Sequence, residues 1–315
     1  MLSGGTTSTG SACGDDSTWR ALRRPRESRG RARYADLVPA DPLLPLTTYE
    51  RVLPVPVERI WENVLDWEHL PGLHRHEFGS IRLIEGGDWG WRACVRRAGA
   101  PESREMTIEV VLDRERLRYV TATVEGPGKG TEIRTRLTPR NDGAQETHVH
   151  VEFLVPEVPP GRAAAWAAGY RELYERLWDE DEAMMLRRGN LLSRSQSERP
   201  SPARLELGSL AALRSRLPLV VEIGSRPWRV VALDGELAVH STVCPHRLGP
   251  LEEATVADGV VECPWHRYRF DLRTGRSCDG RTFRLAPAPR IAIGEDERVV
   301  LIFDPPDRAA TIAPR

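Results

Sequence analysis

Two short loops constrain this chain more than any other feature: Cys244-Pro245-His246 and Cys263-Pro264-Trp265-His266, with sixteen residues between His246 and Cys263. Together they offer two thiolates and two imidazoles. That donor set suits a tetrahedral zinc ion, and it also suits a pair of inequivalent irons. The helix-borne spacing of a zinc finger is absent. The surrounding runs are short and β-rich (LVVEI, WRVVAL, ELAVH), so residues 205–305 read as a small all-β domain, with 306–315 as a tail.

The flanks separate the two metals. CPHRLGPL and CPWHRYRFDLRTG, with an aromatic at Tyr268 and an FD-x-x-TG turn, resemble the two loops of the Rieske family. The resemblance implies a [2Fe–2S] cluster with Cys244 and Cys263 on one iron and His246 and His266 on the other. Neutral imidazoles in place of two thiolates raise the potential above that of an all-cysteine ferredoxin, and their protonation couples to reduction. High-potential members of the family carry a disulfide-forming cysteine in each loop. Gly249 and Trp265 stand at those places here, as in the low-potential soluble type. Five cysteines, an odd number, also argue against a secreted disulfide framework. Cys13, Cys94 and Cys278 are expected to be unbonded thiols.

The rest of the chain is organised differently. Residues 1–46 lack hydrophobic periodicity and hold seven arginines between Arg20 and Arg33, the pattern of a disordered arm. From Thr47 a strand-like TYERVLPV precedes Val57, Ile60, Trp61, Val64 and Leu65 at helical spacing, with Pro71 and Gly72 as the breaker. Six alternating segments follow (80–84, 89–97, 104–112, 117–124, 131–137 and 147–155), as in an antiparallel meander. GPGKG at 126–130 opens no helix and reads as a hairpin turn, not a nucleotide loop.

A helix is then expected over 160–188, with Trp166, Tyr170, Leu173, Tyr174, Leu177, Trp178, Met184 and Met185 on one stripe. LLSRSQSERPSPAR, residues 191–204, reads as a linker. Strand, helix, meander and closing helix over residues 47–190 resemble the helix-grip fold of the START or Bet v 1-like superfamily. The expected class is therefore α+β, a helix-grip domain followed by an all-β domain.

Ring-hydroxylating Rieske oxygenases join these same two domains in the opposite order, and their helix-grip domain holds one iron on two histidines and a carboxylate. Asp66-Trp-Glu-His69-Leu-Pro-Gly-Leu-His74 matches the D-x-x-H-x-x-x-x-H stretch of that family in spacing and position. The resemblance implies His69 and His74 as iron ligands, and Asp66 as the acid that links a cluster histidine, here His266, to an iron histidine across a subunit boundary. As i and i+3 neighbours on a helix, Asp66 and His69 could also pair through the second imidazole nitrogen. Asp181 lies centrally in the apolar stripe and within DEDEAMM, which resembles the segment carrying the third ligand; Glu180, at the stripe's edge, is the alternative. His76, His148 and His150 receive no role.

The resemblance thus implies a Rieske-type oxygenase component, with a [2Fe–2S] cluster feeding a mononuclear Fe(II) that activates O₂ to oxidise a small hydrophobic substrate. The alternative is a non-catalytic electron carrier or redox sensor whose helix-grip domain binds an apolar ligand without iron. The absence of a G-x-G-x-x-G stretch implies an external ferredoxin or flavin reductase as donor. The resemblance, with its intersubunit bridge, implies a homo-oligomer, a trimer being the expected form. A formal net charge of -1 gives no reason to expect nucleic acid, and the lack of a long apolar run points to a soluble cytoplasmic protein. Substrate identity is not legible, because cavity shape depends on side chains scattered over the sheet and helix.

Overall fold

A computed structural model of the chain describes residues 42–140, 145–194, 204–223 and 226–303. The arginine-rich stretch, Cys13 and the C-terminal tail lie outside the described residues.

The N-terminal unit is a seven-stranded antiparallel sheet: β1 (Leu44–Leu53), β2 (Phe78–Gly87), β3 (Gly90–Arg97), β4 (Met106–Asp113), β5 (Arg118–Glu125), β6 (Glu132–Pro139) and β7 (Thr147–Val155). Its order is β1-β7-β6-β5-β4-β3-β2, so the sheet's first strand pairs with its last. β1 begins three residues inside the expected arm, because Leu44 pairs with Val155. Alternation sets the inner face. In THVHVEFLV, Val149, Val151, Phe153 and Val155 are buried, while the intervening His148, His150 and Glu152 point away from the core. Full burial of one such side chain contributes about 1.5–3 kcal/mol. His150 and His148 meet Glu50 at 2.9 and 3.7 Å on that outer face, so neither lines the interior. GPGKG forms the β5–β6 turn as expected.

Helix α1 (Val57–Val64) buries Val57, Ile60 and Trp61 against the sheet. The chain does not break at Pro71. A 3₁₀ turn (Trp67–His69) leads into a one-turn helix α2 (Leu70–Leu73), where proline fits because the first turn needs no N–H donor.

Helix α3 (Ala163–Arg194) packs across the sheet, Tyr170 and Tyr174 lying 5.1 and 4.7 Å from the Phe153 ring. It starts three residues later and ends six residues later than the periodicity predicts, so it takes the first residues of the expected linker. Tertiary contact explains the extension. Met185 belongs to the core of the N-terminal unit, whereas its neighbour Met184 packs with Cys244, Cys263, Trp265 and Tyr268 of the C-terminal unit. Arg187 Nη2 reaches Glu252 at 3.0 Å, so the last turns of α3 are held by the second unit.

That unit contains three three-stranded sheets, two of them longer than the third. Of the longer two, one is β9 (Leu219–Ile223), β10 (Arg226–Leu233) and β11 (Glu236–Ser241); the other joins β8 (Arg204–Ser209) to β15 (Arg290–Ile293) and β16 (Arg298–Ile302). A short helix, α4 (Leu210–Arg214), follows β8. A small ribbon of β12 (Val256–Ala257), β13 (Val260–Glu262) and β14 (Arg269–Asp271) supports the second Cys-His loop. No described helix is long and apolar enough to cross a membrane.

Candidate metal centres

The two Cys-His loops fold alike. Leu248 N donates to Cys244 O at 3.0 Å, and Arg267 N donates to Cys263 O at 2.8 Å. Leu248 and Arg267 both have positive φ, 64° and 58°, four residues after their cysteines. Left-handed backbone costs a branched or long residue about 1–2 kcal/mol, so each loop is held bent by its surroundings. Gly249 is required by space: a Cβ there would stand 2.6 Å from Cys263 Sγ.

The donor atoms fit a cluster of the expected kind. Nδ1 of His246 is buried without a hydrogen-bond partner, and its ring lies 4.5 Å from that of His266. Orphaned buried nitrogens are costly unless something binds them. The hydrogen bond from Cys244, together with the His266 side chain and the Trp265 and His266 amides, lowers the Cys263 thiol toward thiolate against the effect of burial. The same bond, with burial, pushes Cys244 up. Burial moves His246 down to about 4, keeping its imidazole neutral. A thiolate and a neutral imidazole, as at Cys263 and His246, are what a metal centre takes. Cys94 and Cys278 are unbonded, as expected.

A second set of donors stands beside the first. His69 Nε2 and His74 Nε2 lie 3.4 and 3.2 Å from the same oxygen, Asp181 Oδ1, and the three ligand atoms fall within 4.8 Å of one another. Asp181, and not Glu180, faces both histidines. Glu180 Oε2 instead meets the other nitrogen of His74, Nδ1, at 2.6 Å and fixes that ring from behind. Adjacent residues on a helix project about 100° apart, so the two acids approach one imidazole from different sides. Asn63 Nδ2 donates to Asp181 Oδ1 at 2.9 Å. Burial lowers His69 to about 4, while His74, His69 and Asn63 hold Asp181 below its ordinary value despite burial. The neutral His69 and ionised Asp181 suit a divalent ion. Neither Glu180's place nor Asn63's was signalled by spacing.

Asp66 departs from expectation in two ways. It lies just before the 3₁₀ turn at φ −88°, ψ 64°, outside helical geometry, so the i, i+3 pairing with His69 does not form and His69 Nδ1 has no hydrogen-bond partner. Its carboxylate instead accepts from His266 Nε2 at 2.9 Å within the same chain. The expected neighbour subunit is not needed to cover it: Asp66 is only 6% exposed, buried by this chain's own second unit. Burial opposes both charges, yet the pairing holds Asp66 down to about 2 and raises His266 to about 9. His266 and His69 ring centres are 6.5 Å apart.

Three further contacts seat the loops. Tyr268 OH donates to Glu68 at 2.5 Å while its ring stacks on His246 at 4.3 Å. Arg247 lies 3.7 Å from Asp66. Gly72 meets the Trp265 carbonyl so closely that any Cβ would sit on that peptide group, 2.7 Å from its carbon. The residue read as a breaker is thus a point of close approach between the units.

A cavity of about 540 Å³ opens between the sheet and α3, lined mostly by apolar side chains including Phe78, Met106, Ile108, Ile133, Trp166 and Tyr174. Phe78 is 6.2 Å from the His74 ring. On α3, Tyr170, Tyr174, Leu177 and Asp181 follow at steps of four, three and four, so one helical face runs from cavity wall to donor set. A cavity of this size takes a small organic ligand.

Comparison with known proteins agrees with this division. Residues 204–287 match the Rieske [2Fe–2S] domain, and residues 46–180 match the polyketide cyclase / dehydrase and lipid transport family. The anthranilate 1,2-dioxygenase ferredoxin subunit of Burkholderia cepacia is 35% identical over 69 residues, 22% of this chain and 64% of that protein. The p-cumate 2,3-dioxygenase system ferredoxin component of Pseudomonas putida is 40% identical over 67 residues, 21% of this chain and 52% of that one. The chain therefore spans roughly half to two thirds of the curated relatives it matches. Among solved structures, the ferredoxin of carbazole 1,9a-dioxygenase from Nocardioides aromaticivorans covers 32% of this chain and 100% of its own, at 21% identity and a TM-score of 0.28. Norcoclaurine synthase from Thalictrum flavum covers 46% and 88%, at 15% identity and a TM-score of 0.35. The chain joins an N-terminal helix-grip domain of the polyketide cyclase / dehydrase and lipid transport type to a C-terminal Rieske [2Fe–2S] domain.

Proposed function

We propose that this protein is the oxygenase component of a Rieske non-haem iron system. The observation that carries the reading is the convergence of His69, His74 and Asp181 on one point, beside a cluster histidine that is hydrogen-bonded to Asp66 of the helix-grip domain. Two histidines and one carboxylate are the donor set of non-haem Fe(II) oxygenases. When bound, the cluster supplies single electrons and a ferrous ion offers open positions for O₂. Cys244, His246, Cys263 and His266 hold the former; His69, His74 and Asp181 hold the latter. Asp66 keeps His266 oriented toward the iron site, and Glu180 fixes His74. The apolar cavity positions a small hydrophobic substrate and excludes water from it. Electrons come from a separate ferredoxin or flavin reductase.

A second reading has its own support, since both curated relatives are ferredoxin components. In it the Rieske domain only carries or senses electrons, and the helix-grip domain binds an apolar ligand without iron. Burial of His266 by Asp66 weighs against a mobile carrier, because the outer nitrogen of that ligand is already occupied by this chain.

Iron, acid-labile sulfide and zinc counted on anaerobically reconstituted protein test the choice. The oxygenase reading expects more iron than sulfide, with the excess lost in Asp181→Ala while the cluster's visible absorption persists. Equal iron and sulfide in the parent protein would sink the second iron and leave the carrier.

A further inference from the structure

The walls of the cavity between the sheet and α3 differ in chemistry. α3 supplies one wall, from Trp166 to Leu177. At about 1.5 Å per residue that wall is about 16 Å long, more than a single aromatic ring spans. The facing wall carries hydroxyls: Thr121 and Thr123 share one face of β5, and Thr131 stands just before β6. Tyr170 and Tyr174 add two phenol groups from the helix. None of these five hydroxyls makes a side-chain hydrogen bond among the described residues. An apolar body that brings oxygen atoms of its own satisfies such walls better than a pure hydrocarbon.

Charge at the rim is set by the exposed Arg97 and Arg104 and by Glu77, the one acid that lines the cavity. Glu77 accepts from Arg97 Nη2 at 3.1 Å and from Arg176 Nη2 at 2.5 Å, so it is already matched twice. Two more acids flank Arg104 in sequence. Glu102 meets Arg96 at 3.9 Å, and Glu105, in extended backbone one residue before Met106, points to the opposite side of the strand from that cavity residue. Arg104 itself forms no ion pair or side-chain hydrogen bond among the described residues. A lone guanidinium at the rim of an apolar space is complemented by one carboxylate. Deeper in, Phe78 is 6.2 Å from the His74 ring and Leu177 stands one turn before Asp181, so a body held from the rim lies against the donor set.

We propose that the cavity takes an elongated amphipathic monocarboxylic acid, its carboxylate on Arg104 and its oxygen-bearing apolar body laid along α3. Arg104 is the residue that sets specificity for the acid, and the threonines of the sheet wall read the oxygen atoms of the body. An uncharged hydrocarbon would leave the guanidinium and all five hydroxyls unmatched. The assignment names the substrate class of the oxygenase reading and rests on that reading for the ligand's being a substrate. Binding itself requires no iron.

The test uses the full cluster-loaded chain, with iron and sulfide counted on the same sample. Calorimetry at low salt compares lithocholic acid, which carries a ring hydroxyl and a carboxylate, with its methyl ester and with cholanic acid, which lacks the hydroxyl. The parent should bind lithocholic acid about tenfold more tightly than the ester and about threefold more tightly than cholanic acid. R104Q should bring the acid down to the affinity of the ester and leave the ester unchanged, whereas R104K should keep most of the preference. T123V should narrow the gap between lithocholic and cholanic acids. Equal affinity of acid and ester in the parent, or a preference that survives in R104Q, would overturn the assignment. So would failure of the parent to bind both lithocholic acid and a straight-chain probe, 12-hydroxydodecanoic acid. Asp181→Ala should keep the acid preference. A preference for the acid in a parent with equal iron and sulfide leaves the ligand class standing and removes the oxygenase; excess iron without the preference does the reverse.

Discussion

His266 Nε2 and Asp66 Oδ2 meet at 2.9 Å although 200 residues separate them in sequence. The bond ties a cluster-loop imidazole to the turn that carries His69. Its effect is local and charge-assisted, so Asp66→Asn preserves shape while removing the charge. Both metal sets should still load. Single-turnover oxidation of the pre-reduced protein by O₂ should slow about 10- to 100-fold, the usual cost of losing a group that orients a metal ligand. An unchanged rate with intact metal content would detach Asp66 from the relay.

Gly72 tests the interface sterically. It lies outside the left-handed region, so its necessity comes from space and not from φ: a Cβ at this position meets the Trp265 carbonyl. Gly72→Ala is expected to leave both domains folded and to push them apart. Hydrogen–deuterium exchange should rise at 66–74 and 263–268 and stay unchanged in β4 to β7. Turnover should fall with the separation. Protection equal to the parent's at both segments would mean that the contact yields without opening the interface.

The seven-stranded sheet and long helix were legible because their signals are local: alternation in THVHVEFLV, and the apolar stripe from Trp166 to Met185. Spacing and flanking residues likewise indicated the cluster loops, and family spacing indicated His69 and His74, while the apolar stripe and the DEDEAMM resemblance indicated Asp181. What escaped is non-local. The end of α3 is set by Met184 and Arg187 against another domain, which periodicity within one helix does not reveal. Gly72 beside Pro71 has the composition of a break, yet its role depends on a peptide group nearly two hundred residues away. The covering of Asp66 by its own chain depends on how the two domains dock, and neither domain's sequence pattern encodes that alone.

His240 gives a pH dependence with a definite sign. It is 2% exposed, its Nδ1 is 2.9 Å from the Ser241 carbonyl, and burial lowers its pKa below 6.5 despite that bond. The folded protein therefore binds fewer protons here than the unfolded chain once pH drops below about 6.5. Stability from this site is complete above that value and declines as pH falls, by up to about 1.4 kcal/mol per pH unit until the folded pKa is reached. His240→Asn keeps an N–H for the carbonyl and removes the titration. Melting profiles between about pH 8 and about pH 6 should show a smaller acid loss in the variant. Parallel profiles would place the acid sensitivity elsewhere.

Arg187 and Glu252 clasp the two domains unequally. The Arg187 guanidinium serves Glu252 at 3.0 Å through Nη2 and also donates to the Leu248 carbonyl at 3.2 Å through Nε. Glu252, half-buried like its partner, has only this one cross-domain role among the described contacts. Removing the arginine leaves a carboxylate and a carbonyl without a donor, while removing the glutamate leaves the arginine its carbonyl. Arg187→Ala should therefore destabilise by about 2–3 kcal/mol and Glu252→Ala by about 1 kcal/mol, with Arg187→Lys between them because an ammonium cannot form the two-pronged contact. Apparent melting temperatures at one fixed scan rate rank the three variants. The same ordering should appear in exchange protection of the loop at 248–252. Equal losses in the two alanine variants would instead assign the whole effect to the ion pair and none to the carbonyl.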